Sequence, residues 1–484
     1  MNIVMILEMA ASAGDRAVVT AGGRSLTASE LMSLAQTAAG RFRKYPAVLY
    51  LGANHLAYPV ALFGAALAGV PFVPLNYRLG EQQLSSLQDR HPGALVLRPS
   101  DLDALLEPAD QPSQGPLGGE GETSASGEDQ DAVAVLLYTS GTTAAPKAAV
   151  LRHRHLLAYV LNTLEFASAE EGDAALVAVP PYHIAGLANL LTNLYTGRRV
   201  VYLAGFEAGE WLETVRRERV THALLVPTML ARIVARVEGD DAATPTLRSL
   251  AYGGARTPRP VLERALQVFP GAGFVNAYGL TETASSVAVL GPGDHRKALE
   301  SQDPVVRARL GSVGRALPGV EFQIRSDDGR PLGPDRTGLV FVRGEQISGE
   351  YGGHSVLDAD GWFPTRDRGR LDAEGYLFIE GRADDTIIRG GENIAPAEIE
   401  DVLLAHPGVV EAAVVGLPDP EWGQRVVAVL VGDGDPEEIR RWVKDRLRSS
   451  KTPDTIVFRA ELPKTDTGKL LRRALLAELE TSHA

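Results

Sequence analysis

The chain contains no cysteine among its 484 residues. That absence excludes disulfides, thiolate metal sites and a cysteine nucleophile, and it is compatible with a reducing, cytoplasmic setting. Basic residues are in deficit: 48 Lys and Arg face 61 Asp and Glu, a net charge of −13. A duplex binder needs a basic face, so nucleic-acid binding is not expected. A single nucleotide held by a local site is not excluded. Charge-free stretches are also scarce. The longest candidate for a membrane span, residues 47–77, lacks Lys, Arg, Asp and Glu, but Gly52, Asn54, His55, Pro59, Pro71 and Pro74 interrupt it. It is read as strand, buried helix and strand of one α/β unit. Met1–Leu7 is apolar, yet it has no basic flank and Glu8 ends it, so no secretory signal is expected.

What is present is an ordinary globular composition, 45% hydrophobic and 23% charged. The length exceeds what one core serves, so two or more domains are expected. Short apolar runs at Val48–Leu51, Phe72–Leu75, Ala94–Leu97, Val133–Leu137, Ala175–Val179, Val200–Leu203 and Ala223–Val226 read as strands. Mixed apolar and charged segments such as Thr27–Phe42, Glu81–Arg90 and Ala208–Arg219 read as helices between them. The alternation predicts layered α/β subdomains. Glu107–Asp131, rich in Gly, Ser, Pro and acids, reads as an exposed, mobile connector. Leu339–Arg343, Gly361–Phe363 and Tyr376–Glu380 predict a β-rich stretch. Beyond Arg382, a helix from Pro396 to His406, strands at Ala412–Val415 and Val426–Val431, and a helix at Glu437–Arg448 predict a small α+β module.

Several islands carry chemistry. Tyr138–Lys147 (YTSGTTAAPK) follows an apolar strand with hydroxyls, a glycine and a lysine. Backbone N–H groups, hydroxyls and a nearby ammonium make a phosphate clamp, although no Gly-Lys-Ser/Thr closes it as in a Walker A loop. Asn276–Glu282 (NAYGLTE) sets Thr281 and Glu282 after an aromatic and a glycine. Glu282 suits Mg²⁺, which takes few protein carboxylates and fills its shell with phosphate and water. The same string also suits a helix N-terminus capped by Thr281. Further islands are Tyr252–Ala255, Gly361–Asp367, Gly381–Asp385, Gly390–Asn393 and Leu462–Lys469 (LPKTDTGK).

In this order and context the islands resemble the signatures of the adenylate-forming superfamily of acyl-CoA synthetases, adenylation enzymes and luciferases. The resemblance spans nearly the whole chain and is nearest in pattern to acyl-CoA ligases. It implies a large N-terminal domain over residues 1–383, with a β-rich subdomain at 337–381, and a small mobile domain over 384–484. It implies that Thr139, Ser140, Gly141, Thr142, Thr143 and Lys147 cradle the phosphates of ATP. Gly253, Gly254, Ala255, Asn276, Ala277, Tyr278 and Gly279 would surround adenine, with Tyr278 stacked on it. Thr281 would touch the α-phosphate and Glu282 would hold Mg²⁺. Asp367 would accept both ribose hydroxyls, and Arg382 would contact the ribose. Asp384 would be the hinge, Gly391 and Glu392 would line the thiol tunnel for coenzyme A, and Lys469 would be the catalytic cation. Tyr182, His183, Met229 and Ser285 would border the acyl pocket.

The chain departs from the pattern at Ala144 and Ala148, where glycine is usual, at Arg366, where glycine usually precedes the ribose aspartate, and at Ala395, where an aromatic is common. The stretch Pro180–Gly186 lacks the aspartate that holds an α-ammonium in amino-acid-activating relatives, so an α-amino acid is not expected. The resemblance implies a standalone ligase, monomeric or homodimeric, making acyl-AMP and then a thioester. Two alternatives stay open. One is another acceptor or oxyanion: an acyl carrier protein, an amine, or nitrite. The other is a nucleotide-binding protein without catalysis.

Overall fold

The computed structural model describes residues 1–107, 129–139, 146–465 and 468–482. Ser140, Gly141, Thr142, Thr143 and Ala144 lie outside the described residues, as do Asp466, Thr467 and most of the connector expected at Glu107–Asp131.

The alternating apolar runs build two large sheets. In the nine-stranded sheet the order is Arg315–Ala316, Ser285–Leu290, Gly273–Leu280, Ser249–Gly253, His222–Leu225, Ala174–Val177, Arg199–Tyr202, Ala17–Ala21 and Arg24–Thr27. Its middle is parallel and antiparallel strands close both edges. The seven-stranded sheet runs His354–Ser355, Glu350–Tyr351, Lys147–Arg152, Val133–Thr139, Phe72–Pro74, Val48–Tyr50 and Leu95–Leu97. Parallel strands flanked by helices read as continuous apolar runs because both faces are buried. Val48–Tyr50 and Phe72–Pro74 bury every residue.

Helices form where the spacing placed them. Thr27 caps Ala28–Phe42 in a capping box with Glu30, satisfying two orphan N–H groups and contributing about 1 kcal/mol. The charge-free segment contains the helix Ala57–Ala68, closed by Gly69 at φ 72°. This helix is apolar all round because it is buried nearly all round. One large core spans both sheets, including Tyr50, Tyr58, Phe63, Trp211 and Tyr252. Among the described residues no helix is long and apolar enough to cross a membrane.

The β-rich stretch is a four-stranded antiparallel sheet of Val320–Arg325, Gly338–Gly344, Phe363–Leu371 and Leu377–Arg382. Two details differ from the sequence reading. Val320–Arg325 (VEFQIR) joins the sheet ahead of Gly338, a strand whose apolar–polar alternation the sequence reading passed over. Gly361 is a turn residue at φ 81°, and the strand starts only at Phe363. The C-terminal domain holds a hairpin, Ile387–Arg389 with Glu392–Ile394, and a three-stranded sheet of Val409–Asp419, Gly423–Gly432 and Thr455–Phe458. Helices Pro396–Leu404 and Pro436–Lys444 pack on one face, with the final helix on the other.

The two large sheets are stitched by Asn54, which is 4% exposed. Its side-chain amide donates to the carbonyls of Val179 at 3.0 Å and Leu203 at 2.9 Å. Replacing Asn54 with Leu leaves those acceptors without this donor. The expected loss is about 3 kcal/mol, measured by urea unfolding with the m-value unchanged.

Candidate active site

A buried carboxylate organises the centre. Asp367, 4% exposed, accepts from the Tyr278 hydroxyl at 2.5 Å and from the Arg382 guanidinium at 3.1 Å. Its own N–H donates to Thr365 Oγ1 at 3.1 Å. Burial pushes its carboxyl above the usual range, and Arg382 and the Tyr278 bond oppose that. Burial likewise holds the Tyr278 phenol well above its ordinary value, so it donates and stays neutral. Tyr278 lies in the nine-stranded sheet, and Asp367 and Arg382 on adjacent strands of the four-stranded one.

Glu282 sits in a single 3-10 turn, Thr281–Thr283, after the strand Gly273–Leu280. Thr281 therefore opens a short turn rather than a long helix. Glu282 is buried, and its carboxylate accepts from the Tyr351 hydroxyl. Its carbonyl receives Ser348 N–H at 2.8 Å. Among the described residues no group of three His, Cys, Asp or Glu is arranged to hold a metal. One buried carboxylate fits a Mg²⁺ whose remaining ligands are phosphate and water. The backbone beside it tolerates little bulk. A Cβ on Gly279 would run into the Ser285 carbonyl and one on Gly253 into the Ala277 carbonyl. Ala284 and Ser285 hold positive φ of 53° and 124°. Gly254 and Ala255 end the neighbouring strand exposed, and Asn276 donates to the Ser312 carbonyl at 3.1 Å.

The two ends of the phosphate motif lie on paired strands. Val133–Thr139 pairs antiparallel with Lys147–Arg152, Thr139 opposite Lys147. Arg90 holds the returning arm through the Pro146 carbonyl at 2.7 Å, and His91 bonds the Tyr138 hydroxyl at 2.8 Å. The second arm also receives Tyr351, opposite Ala149. Lys147 Nζ thereby stands 6.0 Å from the Tyr351 ring. Tyr351 was not singled out from the sequence. Its bond to Glu282 follows from strand pairing across about two hundred positions, which no local signal reports.

Lys469 comes to this centre from the far end of the chain. Lys464 and Leu470 form a β-bridge, and Thr465 N donates to the Lys469 carbonyl at 2.8 Å. Gly468, at φ 79°, lies so close to the Thr228 side chain that a Cβ would collide with it. Lys469 keeps solvent-accessible surface in the cleft, yet enough protein surrounds its ammonium to lower its pKa. Desolvation is the larger cause and Arg382 adds to it; Asp367, Asp385 and Glu282 pull the other way. Lys469, Arg382, Asp367 and Glu282 thus share one electrostatic centre.

His183 is the residue before helix Ile184–Thr196, and its ring lies tilted against Tyr182 with centroids 4.6 Å apart. Tyr182 meets Tyr77 edge-on at 5.6 Å. Met229 is buried in helix Pro227–Arg236. Ser285 and Ser286 lie near Tyr159, a second residue the sequence reading missed; burial raises the Tyr159 phenol above its ordinary value and the two serines oppose that. Asp384 lies exposed in the turn Ala383–Asp385. Gly391 and Glu392 are not gathered to the centre. Their hairpin is tied within the C-terminal domain, Gly390 N to the Trp422 carbonyl at 2.7 Å and Glu392 to Arg448.

Residues 7–351 match the model of AMP-binding enzymes, and residues 398–469 match that of the AMP-binding enzyme C-terminal domain. The chain belongs to the AMP-binding enzyme family. It is an adenylate-forming member, of the class of AMP-forming acid–thiol ligases. Among its relatives, a feruloyl-CoA synthase from an Amycolatopsis species is 35% identical, covering 93% of each chain. An indoleacetate–CoA ligase from Aromatoleum aromaticum is 34% identical, covering 87% of this chain and 86% of that one. The structure of o-succinylbenzoate CoA synthetase from Bacillus subtilis with its acyl-adenylate intermediate superposes with a TM-score of 0.81 at 29% identity, covering 97% of each chain.

The lowered Lys469 pKa has a sign that activity can read. The ammonium is lost as pH rises, and in this AMP-binding enzyme it is lost below the ordinary lysine value of 10.5. The kcat/KM for ATP in acid-dependent pyrophosphate release should therefore fall on the alkaline side below pH 10.5. In Lys469→Arg, whatever activity survives should lose that limb, because guanidinium stays charged above about pH 12.

Proposed function

We propose that this ligase activates an aryl-carboxylic acid as its acyl-AMP and delivers the acyl group to coenzyme A. ATP, Mg²⁺, the acid and coenzyme A are its substrates and cofactor. The observation that carries the reading is the arrival of Lys469, from the C-terminal domain, at the pocket of Glu282, Asp367 and Arg382.

On this reading Asp367 accepts the ribose hydroxyls, and its bonds to Tyr278 and Arg382 keep the acceptor oriented. Tyr278 offers its ring to adenine, and Gly253 lets the backbone approach without obstruction. Thr281 lies beside the α-phosphate and Lys147 beside the outer phosphates. Mg²⁺, when bound, neutralises phosphate charge, and Glu282 would be its protein ligand. Attack of a carboxylate oxygen on the α-phosphorus brings two anions together, and the ammonium of Lys469 lowers that barrier. Pyrophosphate leaves with the electrons of the broken P–O bond. The small domain, residues 384–484, then turns about Asp384 and brings the Gly391–Glu392 hairpin toward the acyl-AMP for the thiol. His183 and Tyr182 border the acyl group opposite Met229.

Three features support an aryl acid. The walls are apolar or aromatic at Tyr182, Val226 and Met229. Hydroxyls gather at Ser285, Ser286 and Tyr159, suited to a polar ring substituent. The relatives reported above are named for ferulate, indoleacetate and o-succinylbenzoate. Cytoplasmic placement and a monomeric or homodimeric state belong to the same reading.

Substituting Lys469 with Ala should lower acid-dependent pyrophosphate release by about two to three decades, on the order of 3–4 kcal/mol, while thiolysis of supplied acyl-AMP persists. Loss of thiolysis alone would overturn the role. For the substrate, a pyrophosphate-release screen over aliphatic, aryl and dicarboxylic acids should favour aryl acids, and mass spectrometry should find the CoA thioester only when coenzyme A is present. An amide, a carrier-protein adduct or a purely aliphatic preference would replace this assignment.

A further inference from the structure

Arg366 occupies a backbone conformation that argues against its being there by default. It sits inside the strand Phe363–Leu371 at φ 62°. A left-handed residue with a Cβ costs roughly 1–2 kcal/mol that glycine would not. The residues on either side are fixed. Thr365 is 2% exposed and donates to the Val340 carbonyl at 2.8 Å, and Asp367 is 4% exposed in the bonds described above. Arg366 alone of the three is exposed. A strained, exposed arginine between two buried anchors is a candidate for function, since strain persists where the surroundings over-determine it.

The guanidinium also lies where an anion is expected. It is close enough to Tyr351 to oppose the rise in that phenol's pKa, together with Arg382, and the Tyr351 hydroxyl bonds Glu282. Lys147, at the end of the phosphate motif, stands by the same Tyr351 ring. Two cations from different sheets, Arg366 and Lys147, therefore lie within electrostatic reach of Tyr351, whose hydroxyl bonds the carboxylate suited to Mg²⁺. Lys469 serves the α-phosphorus on the reading above, so the outer phosphates need other partners. Arginine suits them, because its planar fork binds phosphate oxygens in pairs.

We propose that Arg366 is a phosphate-binding residue of the adenylation step, gripping the β- and γ-phosphates of ATP and the pyrophosphate they become. The proposal rests on the adenylation reading and adds a residue to it. A carboxylate oxygen bonds the α-phosphorus, the bond from that phosphorus to the bridging oxygen breaks, and the leaving pyrophosphate takes the electron pair. Arg366 contributes charge at the leaving group and transfers no proton.

Three variants test this: Arg366→Gly removes charge and strain, Arg366→Ala removes charge alone, and Arg366→Lys keeps the charge without the fork. Each is assayed for KM of ATP, kcat, product inhibition by inorganic pyrophosphate, thiolysis of supplied acyl-AMP and urea stability. Arg366→Gly should be at least as stable as wild type, yet show about a tenfold or greater rise in KM for ATP and a matching weakening of pyrophosphate inhibition, with thiolysis retained. Arg366→Ala should share the binding defect, and Arg366→Lys should recover part of it. An unchanged KM and pyrophosphate inhibition in Arg366→Gly would overturn the proposal, and so would equal losses in both half-reactions. Calorimetric titration of inorganic pyrophosphate into wild type and Arg366→Gly reads the same contact without turnover. A wild type that binds pyrophosphate through Arg366 but releases none from ATP and acid would sink the adenylation reading and leave this contact standing.

Discussion

A single carboxylate holds the centre of this molecule together. Asp367 is bound by a phenol from one sheet and a guanidinium from another, both from outside its own strand. Buried charge without partners is expensive, and breaking such a pair typically costs about 3–5 kcal/mol. The four-stranded sheet is therefore registered against the nine-stranded one at the point where a sugar would be recognised. The burial that raises the Asp367 pKa also keeps its acceptors dry and aimed.

The C-terminal domain is held far more lightly. A lysine loop rests on Thr228 through a glycine, and an exposed ion pair joins Arg256 to Asp401. Surface pairs of this kind contribute about 0–1 kcal/mol. Lys147, Arg366, Arg382 and Lys469 outnumber Glu282, Asp367 and Asp385 by one around this centre, and on the proposed function a bound polyphosphate adds anionic charge that ties the two domains. On the proposed scheme, departure of pyrophosphate removes that tie, so product release and domain rotation are two faces of one event.

Much of this was readable in the chain because the signals were local. Short apolar runs between glycines and prolines marked the parallel strands, and Thr27 with Glu30 marked a helix start. The site islands stood out because each joins a turn glycine to a charged or aromatic group at close spacing. Most of the unread parts are set by distant pairing. Lys147–Arg152 carries the short apolar run Ala148–Leu151, which suits a helix or a strand equally until its pairing with Val133–Thr139 is seen. Tyr351 earned no notice because its meaning comes from meeting Ala149 and Glu282 in space. Val320–Arg325, by contrast, alternates cleanly and was legible, but it was passed over. Arg366 registered only as a missing glycine, since a backbone angle is invisible in a string of letters.

Asn54 links fold and selectivity in a further way. The carbonyls it holds belong to Val179 and Leu203, and Val179 leads directly into Pro180–His183. Tyr58 adds a bond to the Pro181 carbonyl at 3.2 Å. The wall bearing Tyr182 and His183 is thus anchored in the seam between the sheets, where a shift would cost the whole fold. The helix Pro227–Arg236 is held instead by burial of Met229, Leu230, Ile233 and Val234. On the proposed function, the histidine face of the acyl site is therefore set by the same bonds that join the two sheets, so selectivity there and folding share one set of contacts.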